Sequence, residues 1–191
     1  RESIKRGASA ASDVYKRQDL ETPPDVLFIS TNMPDYSAII RDIRSAGITA
    51  PIMGGDSMDT ADFYTALGSD LGHDIYISTH SFIGPATGPA MEQFIADLTE
   101  EYGHAPEAAY NAMGWDTVQI LADSVTRAGT TDGEALAQAM VGHEFDLLSG
   151  KLTWSDAESG HIPQKEAFIV AVVDGKPTFV QRLSPSWTPE L

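Results

Sequence analysis

No cysteine occurs anywhere in the chain, and that absence removes disulfide frameworks, thiolate catalysis and cysteine-ligated zinc together. Long apolar runs are missing too: the longest, around Phe168 to Val173, is far too short to span a bilayer, so direct membrane insertion is not expected. Basic residues are scarce, with 12 Lys and Arg against 28 Asp and Glu, and the net charge of −16 repels phosphate backbones and anionic lipid surfaces. Nucleic acid is therefore a poor partner, and small molecules are the better class. Without a G-x-G-x-x-G or Walker sequence there is no visible cradle for a phosphate or dinucleotide, and no cofactor is expected. The histidines, His73, His80, His104, His143 and His161, show neither i, i+4 pairing nor an H-E-x-x-H pattern, so no metal is expected either. His104, close to a helix end where a cation favours the dipole, reads as structural.

What is present describes a globular chain. Its 191 residues are 42% hydrophobic, enough for one domain or for parts of two, and contain no repeat or low-complexity tract. The first 18 residues differ from the rest, with five Lys or Arg against two Asp or Glu. Within them, Asp13 to Gln18 (DVYKRQ) looks like the translation of a transposon-end sequencing adapter. The expectation is that residues 1–18 are a non-native leader and that the protein's own sequence starts at about Asp19.

Val26-Leu27-Phe28-Ile29 is an apolar run of the kind that forms a strand buried on both faces. Pro34-Asp35 opens a helix with Ile39, Ile40 and Ile43 on its apolar face and Gly47 at its C-terminal cap. A second strand, Pro51-Ile52-Met53, runs into Gly54-Gly55. Thr60 is placed to N-cap a helix through Ala61, Phe63, Tyr64 and Leu67, and Asp74 to Ser78 reads as a third strand. This β-α-β-α-β order with short loops predicts a parallel α/β sheet. From Gly84 the pattern changes to a loop and three helical segments, at about 90–102, 106–128 and 132–141. Strands are expected again at about 147–154, 167–173 and 178–182, the last two joined by an Asp174-Gly175-Lys176-Pro177 turn. Such a switch is what a chain crossing between two lobes produces.

Ligands of an open parallel sheet bind beyond the C-terminal ends of its strands. Two loops fit that position, Ser30-Thr31-Asn32-Met33 and Gly54-Gly55-Asp56-Ser57-Met58. Gly54-Gly55 allows a tight turn or close approach, and Asp56 then presents a carboxylate suited to an ammonium; the alternative is a plain turn with Asp56 capping the next helix. Gly55-Asp56-Ser57 also resembles the nucleophile block of GDSL-type serine hydrolases, with Asp70-x-x-His73 as acid and base. In that family, however, the Asp-x-x-His element lies far from the serine, and no G-x-S-x-G elbow occurs here. Trp115, in Tyr110-Asn111-Ala112-Met113-Gly114-Trp115-Asp116, has the spacing of a core aromatic, although Gly114 beside it allows something to approach closely.

Taken together, PDVLFIS, IIRDIRSAGITAPIMGGDSMD, EQFIADLTEEYGHAPEAAYNAMGWDTVQILADSVTRAG and FDLLSGKLTWSDAESGH resemble, in order and spacing, the substrate-binding proteins of branched-chain amino-acid ABC transporters. The resemblance runs from about Pro24 to Arg182. It implies a two-lobed α/β (Venus-flytrap) periplasmic-binding-protein fold, with parallel sheets flanked by helices, of which this chain is the C-terminal half. Residues 19–81 would then be the second half of lobe two, 82–162 part of lobe one, and 163–191 a return to lobe two, with crossovers near Ser81 and His161 to Lys165. It further implies an extracytoplasmic, non-enzymatic protein that binds an amino acid between its lobes and delivers it to ABC permease subunits. Amides, urea, other small metabolites and a sensory or regulatory ligand-binding role are the alternatives. By position, Asp56 matches the acidic residue that receives the ligand's α-ammonium. Asn32 stands where the family often has a tyrosine, and Trp115 where an aromatic lines the cleft. Ser57, Met33 and Met58 are neighbouring candidates.

Overall fold

A computed structural model describes residues 24–184 apart from Met33 and Ser159. Residues 1–18, expected to be a non-native leader, and the candidate ligand residue Met33 lie outside the described residues. The elements are β1 (Leu27–Ile29), α1 (Asp35–Ser45), β2 (Ile52–Gly54), α2 (Ala61–Leu71), β3 (Ile75–Thr79), α3 (Pro89–Tyr102), α4 (Ala109–Ala128), α5 (Gly133–Met140), β4 (Phe145–Leu147), β5 (Gly150–Trp154), β6 (Pro163–Lys165), β7 (Ala167–Val173) and β8 (Lys176–Leu183).

The main sheet has the order β1-β2-β3-β7-β8. Its first three strands are parallel, as the β-α-β-α-β order predicts, but β7 joins β3 antiparallel and β8 closes a hairpin, so the sheet is mixed. The hairpin turn is the two residues Asp174 and Gly175, both at positive φ, tighter than the four-residue turn expected.

Strand β1 corrects a second expectation. In-register residues Leu27, Ile52, Ile75 and Val172 are buried, while the row Phe28, Met53, Tyr76 and Ala171 lies on the opposite face. There Phe28 is 65% exposed, because α1 and α2 cover only one side. An apolar run alone does not say whether a second layer is present; among the described residues the strand is buried on one face. Tyr36, Ile40 and Ile43 of α1 and Phe63, Tyr64 and Leu67 of α2 supply the covered core. Thr60 caps α2 as predicted, its hydroxyl accepting from the Phe63 amide at 3.2 Å. Helix α1 ends on Ala46 with Gly47 following at φ 76, which only glycine adopts without strain.

Apolar side chains from residues 83–154 gather separately, around Met91, Phe94 and Ala112 and around Ile120, Phe145 and Leu152. The long strand expected at 147–154 is two strands, β4 and β5, folded about Leu148 and Ser149, and β6 adds a third that the sequence pattern did not reveal. The fold point is set by Asp116 on α4, whose buried carboxylate accepts from the Leu148 amide at 2.9 Å and from the amide and hydroxyl of Ser149. A distant carboxylate, rather than a local turn signal, makes that bend.

Candidate ligand-binding site

Gly54 ends β2 where a side chain has no room, since a Cβ there would meet Met58 Sδ at 1.9 Å. The chain then makes one short 3-10 turn, Asp56–Met58, that projects Asp56 outward and Met58 inward. Met58 is fully buried in the main core, so it has no surface with which to touch a ligand, contrary to its standing as a candidate. Asp56 does not cap the next helix, because Thr60 holds that place. Its half-exposed carboxylate instead faces two residues from elsewhere: the Tyr110 hydroxyl donates to Oδ2 at 3.1 Å, and His80 Nε2 lies 3.3 Å from the same oxygen.

Ser57 works inside the wall. Its hydroxyl donates to the Thr31 carbonyl at 3.0 Å and accepts from Tyr36, whose oxygen takes the Thr31 amide at 3.0 Å. This closed set of three bonds ties the loop after β1 to the loop after β2. The Ser57 hydroxyl thus donates to a carbonyl, while His73, the base of the hydrolase alternative, pairs with Asp74 at 3.5 Å. Asn32 is exposed on the first loop, its carbonyl accepting from the Asp35 amide. Trp115 is 49% exposed and packs against Phe94 of α3, the rings tilted by 56° with centroids 5.8 Å apart. Five residues past Tyr110, it points about 140° around α4 from it, so the two aromatics serve different faces.

Behind Asp56 lies Asp59, buried, its carboxylate accepting from the Tyr64 hydroxyl at 2.7 Å, the Thr79 hydroxyl at 2.9 Å and the Ala109 backbone. Burial pushes the Asp59 carboxyl up, against the pull of those bonds, and burial together with Asp59 raises the Tyr64 phenol. The Tyr110 phenol is raised by burial first and by Asp56 next, so it remains a protonated donor. The first turn of α4 thus meets two carboxylates, the favourable end for negative charge.

Sequence reasoning named Asp56 but not Tyr110, His80 or Asp59. The strand-end rule that selected Asn32 and Asp56 would have selected His80, the first residue after β3. Tyr110 and Asp59 carried no such signal. Among the described residues no group of three or more potential metal ligands forms, and no helix is long and apolar enough to cross a membrane.

Residues 15–177 match the periplasmic binding protein family. The chain belongs to that family. Among periplasmic binding proteins it is 25% identical over 134 residues to the Leu/Ile/Val-binding protein BraC3 of Rhizobium johnstonii, covering 69% of this chain and 35% of that protein. Leucine-binding protein LivK of Thermotoga maritima superposes with a TM-score of 0.78 at 26% identity, over 92% of this chain and 48% of that one. A solute-binding protein of an ABC transporter from R. palustris, in complex with benzoate, superposes with a TM-score of 0.73 at 20% identity, over 95% and 49%. The chain therefore spans about a third of that curated relative and about half of these solved structures. The family and the fold are those of substrate-binding proteins.

Proposed function

We propose that this chain forms part of the extracytoplasmic solute-binding component of an ABC importer, which holds an amino acid of branched-chain or similar type between two lobes and hands it to the permease. The observation that carries this reading is the half-exposed Asp56 carboxylate at the C-terminal end of a parallel strand, bridged by Tyr110 from the other group of core clusters. An α-ammonium needs such a counter-charge, and the bridge lies where two bodies would close on a ligand. In this reading residues 19–81 and 163–191 belong to lobe two and 82–162 to lobe one. The separate apolar clusters of 83–154 support that division. Asn32 lies at the margin of the cleft, and a ligand acts by stabilising the closed form that the permease reads.

A second reading is favoured by the benzoate-bound R. palustris neighbour: an organic acid without an ammonium. The two separate cleanly in a thermal-shift screen of the full-length protein, since a ligand at a hundredfold its Kd adds about 2.7 kcal/mol to stability. Leucine, isoleucine or valine is expected to raise Tm, and Asp56→Ala to abolish that shift, because losing one partner of a closed-over ion pair costs about 3–5 kcal/mol. Shifts with benzoate alone, or undiminished leucine affinity in Asp56→Ala, would refute the amino-acid reading.

A further inference from the structure

The two oxygens of the Asp56 carboxylate are not equivalent: Oδ2 accepts from the Tyr110 hydroxyl at 3.1 Å and has His80 Nε2 beside it at 3.3 Å, whereas no described residue donates to Oδ1. What this asymmetry does depends on the cation. A guanidinium pairs best with a carboxylate as a fork, two parallel N–H···O bonds to two oxygens, while an ammonium is a point charge that one oxygen satisfies.

Both groups on Oδ2 are held from elsewhere. Tyr110 stands in the first turn of α4, where Asn111 reaches back to the amides of Glu107 and Ala108 at 3.3 Å each and the Ala109 backbone bonds to Asp59. The carbonyl of His80 accepts from Lys165 Nζ at 2.9 Å, and the preceding Thr79 is anchored on Asp59. Lys165 is itself fixed, its ammonium also donating to the Ser149 carbonyl. The His80 backbone is therefore held on two sides, with its half-exposed imidazole beside Oδ2.

We propose that His80 is a specificity-determining residue: with Tyr110 it makes Asp56 a one-oxygen acceptor that takes a ligand ammonium and refuses a guanidinium. The inference rests on the reading of Asp56 as the group that receives the ligand's cation.

The test is calorimetric titration of the full-length protein with leucine and with 2-guanidino-4-methylpentanoic acid, which differ only in the nitrogen head. The wild type is expected to bind leucine about a hundredfold more tightly than the guanidino acid. His80→Ala narrows that ratio by about tenfold or more, the pair His80→Ala with Tyr110→Phe narrows it further, and His80→Gln, which keeps an N–H donor, restores it. The His80 side chain is half-exposed, and each variant is melted alongside to verify that it folds. A purely structural His80 would weaken both ligands alike. A ratio unchanged in His80→Ala, with leucine still bound, overturns the inference and leaves the amino-acid reading standing; binding of neither compound by the wild type, or full leucine affinity in Asp56→Asn, overturns both.

Discussion

Replacing Asp116 by alanine removes the acceptor of three donors at the β4–β5 fold point: the amides of Leu148 and Ser149 and the Ser149 hydroxyl. Asp116 is 2% exposed and Ser149 fully buried, so water does not replace the carboxylate without a cavity opening. An orphaned buried donor costs about 1–3 kcal/mol, and hydrogen bonds to a charged group fall at the upper end. The three losses are not additive, and deleting a buried carboxylate also removes its desolvation cost, which together bring the expected loss to about 3–5 kcal/mol. The damage reaches Lys165 as well. Burial pushes that ammonium's pKa down, and Asp116 is the foremost of the charges that hold it up. The same ammonium grips the Ser149 carbonyl that Asp116 positions. Urea unfolding of Asp116→Ala, Lys165→Met and the double variant measures both effects, and a coupling of about 0.5–3 kcal/mol is expected for groups sharing one network. A loss below about 1 kcal/mol in Asp116→Ala, or strict additivity with Lys165→Met, would refute the account of this bend.

Gly72→Ala is expected to cost about 1–3 kcal/mol in the same assay, because its Cβ would lie 2.5 Å from the Gly68 carbonyl and 2.9 Å from the Gly175 amide, backbone atoms that cannot rotate away; Gly114→Ala, opening onto free space within α4, should instead stabilise by about 0.5–1 kcal/mol. Asp59 carries a pH signature: its carboxyl is raised above 3.8, chiefly by burial, so between 3.8 and its folded value the folded state holds more protons than the unfolded chain. The stability of the wild type relative to Asp59→Asn must therefore rise as pH falls through that folded value and level off below 3.8; a flat or falling difference in pH-dependent unfolding would contradict it. Phe28→Lys, at a position 65% exposed, should change stability in urea unfolding by no more than about 0.5 kcal/mol.

The elements written in local chemistry were legible in the sequence. Thr60 before an apolar helix, Gly47 after one, and Asp174-Gly175 between two β-rich runs each satisfy backbone demands within a few residues, so their signals do not depend on the rest of the chain. The same holds for Asp56, which a pair of glycines at the end of a strand brings forward. Tertiary structure decided what depends on partners far along the chain. Phe28 reads like its buried neighbour Leu27, yet no described element covers its side of the strand. The bend at Leu148 and Ser149 exists because a carboxylate 32 residues upstream accepts their amides. Tyr110 meets Asp56 across 54 residues, a contact with no spacing rule to announce it. Local propensity is encoded within one or two turns of chain, whereas convergence on a common oxygen depends on how packed elements are oriented, and that only the folded core supplies.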